Sequence, residues 1–226
     1  MGKMIPKINK RLFQDRKRTN ILSRPEQELI SALVPRIPRW ISSDGLTTIG
    51  FFGSLMVLGS FLLAKYVHDG LLLLAIIGFF VQWFGDSLDG RLAYYRNKSR
   101  KWYGFALDIV MDWLSTVSIG LGYLLYTATD AEYLGFTLVA LYGWAMIISL
   151  LRYRITDRYT IDAGLLGPTE IRIILCLVLV LEVLIKGSID YSVTVICAIL
   201  FLINIGDTLK LLVLGDRRDK QEKKNG

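Results

Sequence analysis

Histidine occurs once, as His68, and cysteine twice, as Cys176 and Cys197, none of them beside an acidic cluster. A zinc site built from nitrogen and sulfur donors is therefore not expected. Both cysteines lie within apolar runs, where a thiol behaves as a small buried hydrophobe and fixes no redox compartment. Residues 1–20 lack any apolar stretch, so no cleavable signal is read there and the first membrane span is expected to serve as the insertion signal. Repeats, low-complexity tracts and internal linkers are also missing. Nor is there room for a large soluble domain.

What remains is apolar. Of the 226 residues 53% are hydrophobic, and the mean hydropathy is +0.43. Water is a poor solvent for such a chain, whereas a bilayer, whose core takes about 20 apolar residues of helix to cross, is a natural one. Apolar runs at 46–66, 70–95, 104–128, 133–152, 169–186 and 190–214 predict an all-α integral membrane protein with six transmembrane helices. Ahead of them, 25–34 predicts a short amphipathic juxtamembrane helix with Pro25 in its first turn and Ile30, Leu33 and Val34 on one side. Pro35 and Pro38 end it, and Trp40 fits an interfacial anchor. The expected division is a basic tail and interfacial helix over 1–40, a catalytic six-helix domain over 41–215 and a basic tail over 216–226.

The formal charge of +7 does not point to nucleic acid, because the basic residues sit at the chain ends and in short connections between apolar runs. Anionic lipid headgroups are the expected partner. Lys3, Lys7, Lys10, Arg11, Arg16, Lys17 and Arg18 precede the first span. Arg96, Lys98, Arg100 and Lys101 follow the second, Arg152, Arg154 and Arg158 the fourth, and Arg217, Arg218, Lys220, Lys223 and Lys224 the sixth. The opposite connections are poor in positive charge, which places both termini in the cytoplasm.

The segment 85–112, GDSLDGRLAYYRNKSRKWYGFALDIVMD, carries the chemistry. Asp86 and Asp89 are three residues apart on one predicted helix, and Asp108 and Asp112 four apart on the next, so each pair shares a helical face. A short connection makes the helices antiparallel neighbours, and the two pairs can face each other. Four clustered carboxylates near lipid repel one another unless cations lie among them. An ion network with Arg91, Arg96 and Arg100 is the structural alternative. Oxygen-only donors favour Mg²⁺, then Mn²⁺ or Ca²⁺, and two such ions suit a phosphoryl-type transfer. Gly90 would let a ligand approach the backbone, and Gly104 would let two helices approach.

These residues resemble the signature of the CDP-alcohol phosphotransferase family, D-x-x-D-G-x-x-A-R followed after a spacer by G-x-x-x-D-x-x-x-D. It is present as Asp86, Asp89, Gly90, Ala93, Gly104, Asp108 and Asp112, with Tyr94 in place of the arginine and Arg96 two residues later. The resemblance implies transfer of a substituted phosphate from a CDP-linked donor to an acceptor alcohol, with release of CMP. It assigns two Mg²⁺ or Mn²⁺ ions to the four aspartates and makes Asp112 the base that deprotonates the acceptor. Nucleotide contacts are then expected from Thr47, Asp86, Gly90, Ala93, Arg96 and Gly104, with Asp44 beside them. A homodimer is expected, as is common in the family.

Arg152, Arg154 and Arg158 suit a phosphate on the acceptor, although topology alone also accounts for them. Glu170 and Arg172, at the start of the fifth span, are candidates to read acceptor hydroxyls, although Gly167-Pro168-Thr169-Glu170 is also good helix-start chemistry. The short chain and basic fourth connection favour CDP-diacylglycerol as donor. A CDP-amino-alcohol donor with diacylglycerol as acceptor shares the signature. A cation transporter is the reading from another class; acids gathered at one membrane face without an internal repeat argue against it.

Overall fold

The structure is a computed structural model, and it describes residues 21–127, 131–156 and 167–225. Among these residues every regular element is helical, so the all-α expectation holds. The basic segment 1–20 and Arg158 lie outside the described residues. The helices are α1 (Ser23–Leu33), α2 (Ser43–Tyr66), α3 (Leu74–Tyr95), α4 (Lys101–Tyr126), α5 (Glu132–Thr156), α6 (Pro168–Leu184) and α7 (Ser188–Asn225). Two 3-10 turns, Val34–Arg36 and Asp69–Leu73, precede α2 and α3.

Five helices are long and apolar enough to cross a membrane: α2, α3 with its preceding turn, α4, α5 and α7. The chain is an integral membrane protein. The fifth expected span is α6, which has 17 residues. At about 1.5 Å per residue it reaches about 26 Å, short of a hydrocarbon core of about 30 Å. At the other end, α7 continues to Asn225, well past the apolar run that ends at 214. The pairs Lys220–Asp216 and Arg218–Glu222, each four residues apart, favour helix where the chain leaves its apolar stretch.

Side-chain volume explains the tightest pairing, α2 against α3. A methyl group placed on Gly85 would lie 2.3 Å from the Gly50 backbone nitrogen and 2.4 Å from the Leu46 carbonyl oxygen. One on Gly53 would meet the Gln82 nitrogen at 2.4 Å. Only hydrogen side chains allow the two backbones to touch here, which is how helices associate where burial of apolar surface no longer drives them together. Gly85→Leu is accordingly expected to cost about 3 kcal/mol by overpacking. A thermal melt in detergent should show the loss, while the same change at Gly59, which faces open space, should leave the melt nearly unmoved.

The other helices assemble on this pair. α4 packs on α2, α5 on α4 and α7, and α6 on α3 and α7. α1 lies across the end of α3, where Ile30, Val34 and Ile37 join Leu46, Leu88 and Leu92 in a buried cluster. α3 stops at Asn97, whose φ of 53° reverses the chain, and the Lys98 N–H returns to the Ala93 carbonyl at 2.9 Å. At the far end of the bundle, buried Glu182 accepts from the Tyr126 hydroxyl (3.0 Å) and the Ile189 N–H (2.8 Å), and Asp190 accepts from Tyr123 (2.6 Å) and Thr127 (2.7 Å). These contacts tie α4, α6 and α7 together. Arg218 donates to the Arg154 and Ile155 carbonyls and so covers the last turn of α5.

Candidate active site

The first turns of α2 and α6, the last turns of α3 and the first half of α4 converge at one end of the bundle. There Asp86, Asp89, Asp108 and Asp112 line one small cavity, of about 20 Å³, together with Thr47, Gly50, Phe51, Gln82, Met111 and Ser115. The Gly50–Gly85 contact sets the depth of this arrangement. Because Gly85 immediately precedes Asp86, backbone contact at the glycine holds the first carboxylate close to α2.

Each carboxylate on α3 has a partner. The Thr47 hydroxyl donates to Asp89 Oδ2 at 2.6 Å, the Gly90 N–H donates to Asp89 Oδ1, and the Ser43 hydroxyl donates to the Asp89 carbonyl at 2.8 Å. Asp86 Oδ2 lies 2.5 Å from an Arg172 guanidinium nitrogen, and Arg172 Nε reaches Gln82 Oε1 at 3.3 Å. Among the described residues, none donates a hydrogen bond to the Asp112 carboxylate. The chemistry of this donor set fits hard divalent cations, since four carboxylates and a threonine hydroxyl offer oxygen alone. Among the described residues, no three acidic, histidine or cysteine side chains converge closely enough to hold an ion as they are placed.

Of the remaining expected site residues, Thr47 reaches the cavity, where it orients Asp89. Ser42 caps α2 by accepting from the Gly45 N–H at 3.0 Å. Gly90 faces open space, as a ligand-approach position requires, while Ala93 sits half-buried just beyond it. Gly104 also faces open space, so it mediates no helix contact. Arg96 does not reach the cavity lining. Its guanidinium donates to the Ile41 carbonyl at 2.5 Å, the Ile37 carbonyl at 3.0 Å and the Pro38 carbonyl at 2.9 Å, pinning the connection between α1 and α2. Asp44 is paired with Arg100 at 2.5 Å, and that hydrogen bond raises the Arg100 guanidinium above its ordinary value.

Arg152 pairs with Asp207 of α7 at 3.5 Å, and the Arg154 carbonyl receives Arg218. Glu170 is buried and accepts from the Gly167 N–H at 2.9 Å and the Leu22 N–H at 2.7 Å, closing the start of α6. Arg172, two residues beyond, is the described member of the acceptor set that touches an aspartate of the cavity.

Several residues around the site went unread in the sequence, Gln82 and Glu26 among them. Gln82 stands one turn before Asp86 on the same face, at a spacing that would have revealed it. Glu26, on α1, is buried and accepts from Trp83 Nε1 at 3.3 Å, the Ser87 hydroxyl at 3.5 Å and the Thr169 hydroxyl at 2.8 Å. It joins α1 to the helices that carry Asp86 and Arg172, and nothing local in the sequence marks it.

The four aspartates thus stand on consecutive helices of a helical membrane protein and line one cavity. A family profile described as CDP-alcohol phosphatidyltransferase matches residues 40–206, and the chain belongs to that family. It is therefore a transferase of substituted phosphate groups, from a family that moves a phosphatidyl group from a CDP-alcohol to an acceptor and generally depends on divalent metal. No curated protein matches the chain.

Proposed function

We propose that this chain makes a phospholipid by transferring the phosphatidyl group of CDP-diacylglycerol to the hydroxyl of a polar alcohol, releasing CMP at the cytoplasmic face. The observation that carries the reading is the shared cavity of Asp86, Asp89, Asp108 and Asp112 at one end of the bundle. In this reading the four aspartates hold two Mg²⁺ or Mn²⁺ ions, which neutralise the diphosphate and the charge that develops during transfer.

The protein's own residues do the rest. Thr47 fixes the Asp89 carboxylate, the bare backbone at Gly90 and the neighbouring Ala93 leave room for the nucleotide, and Asp86 faces the diphosphate. Asp112, with no donor of its own among the described residues, takes the proton of the acceptor hydroxyl as its oxygen attacks the β-phosphorus of the donor, the one bonded to the lipid; the bond to the CMP oxygen breaks. Arg172, with Glu170 shaping its helix, faces the acceptor. Arg152 and Arg154 border the same end of the bundle, with Arg96 holding the entry segment. The cavity has room for about one water-sized group, so substrate binding requires the four helices to part.

The short α6 completes a sixth crossing in this reading, with α1 lying on the membrane surface and both termini in the cytoplasm. A second copy of the chain completes a homodimer. The test is CMP release by purified protein in lipid with Mg²⁺ and CDP-diacylglycerol, against a panel of inositol phosphate, glycerol phosphate, serine and inositol. CDP-choline with diacylglycerol is the opposing arm. Product from that arm alone would reverse donor and acceptor, and no CMP from any arm would remove the reading.

A further inference from the structure

The Arg172 guanidinium stands where a cation is called for. It lies on a different helix from Asp86, is only 13% exposed, and holds Asp86 Oδ2 at 2.5 Å while Gln82 accepts from its Nε. The backbone beneath it is fixed by two independent ties, since Glu170 closes the start of α6 and Thr169 donates to Glu26 of α1. A long side chain on a fixed stem can change rotamer without moving its helix. A carboxylate oxygen engaged in a charge-assisted bond at this distance cannot offer the same lone pair to a metal, and a guanidinium beside a divalent ion is repelled by it.

We infer that Arg172 is a latch: it substitutes for a divalent ion on Asp86 in the resting protein and transfers to a phosphoryl group of the incoming substrate, so that anion binding and metal binding strengthen each other. The inference rests on the proposed role of Asp86 as a metal ligand. Its consequence is order. Without an anion, one ligand of the metal site is withheld; with the anion drawing Arg172 away, Asp86 is released. Linkage then requires that metal tighten the anion by the same factor as the anion tightens metal. In this arrangement Arg172 is a positioning residue for Asp86 as well as a substrate contact, and Gln82, at the other nitrogen, keeps the guanidinium aligned in the resting pose.

The experiment is Mn²⁺ binding to the full-length protein in detergent, followed by electron paramagnetic resonance with and without inorganic phosphate. Wild type should bind Mn²⁺ about tenfold more tightly when phosphate is present, within the usual range of coupling between sites. Arg172→Gln should bind Mn²⁺ tightly without phosphate and show no further gain when it is added. Arg172→Lys, which keeps the charge but loses the fork, should fall between the two, and it serves as the test if the glutamine variant does not fold.

Unchanged Mn²⁺ affinity in both variants, with wild type binding normally, overturns the latch and leaves the metal site intact. Weaker binding in the variants overturns it too, since Arg172 would then support the ligands rather than compete with the ion. Absence of Mn²⁺ binding in every protein overturns the proposed function itself. Glycerol 3-phosphate and CDP, each titrated at fixed Mn²⁺, separate an acceptor phosphate from the donor diphosphate. The one whose coupling disappears in Arg172→Gln is the anion Arg172 serves, and loss with neither overturns the inference.

Discussion

Asp112→Asn is expected to lower the rate of CMP release by about 10³-fold, within the range general-base removal commonly produces. The asparagine keeps the shape of the side chain but cannot take a proton, so a thermal melt should stay close to wild type. The position makes the expectation strong: Asp112 lines the cavity from α4, opposite the α3 pair, and no described residue spends a donor on it. Asp89 offers a contrast. Its carboxylate accepts from the Thr47 hydroxyl and the Gly90 N–H, and its carbonyl from Ser43, so its orientation is fixed by donors that Asp112 lacks. Turnover by Asp112→Asn within tenfold of wild type would assign the proton to another group.

The second large effect is metal removal. Stripping the protein with a chelator should reduce CMP release to background, because charge neutralisation at a transferring phosphoryl group is worth several kcal/mol. At about 1.4 kcal/mol per factor of ten, that is about 10³-fold or more. Mg²⁺ should restore the rate and Mn²⁺ should restore much of it. Zn²⁺ should do so poorly, since the lining offers no nitrogen or sulfur ligand other than the soft, weak thioether of Met111. Full activity in chelator would mean that Arg172 and the other cations suffice.

Part of this was legible in the chain because it depends on periodicity. Apolar runs long enough to cross a bilayer must become helices, since no water is present to satisfy an open backbone. The three- and four-residue spacings of Asp86 with Asp89 and of Asp108 with Asp112 likewise fix a shared face before any tertiary contact forms. Local chemistry also announced the start of α6, where Pro168 and Glu170 behave as helix-opening residues.

Other features depended on distance along the chain. Arg96 reads as a nucleotide contact by its place beside the motif, yet three carbonyls of the entry segment claim it. Gly104 reads as a packing glycine, yet close helix contacts are made instead at Gly50, Gly53, Gly78 and Gly85 between α2 and α3 and at Gly120 and Gly135 between α4 and α5. Which glycine meets a backbone is a property of two helices in register, and one helix cannot encode it alone.

By itself, then, the sequence determined a helical membrane protein and the residues that make up its acidic face, because helix periodicity and the cost of burying charge are local rules. Only the tertiary structure decided that Arg172, 86 residues away, would pair with Asp86, and that Glu26, 60 residues away, would join α1 to the helices that carry them both. The reason is that ion pairs and hydrogen bonds between helices are selected by packing, and packing is settled only when all the helices are in place.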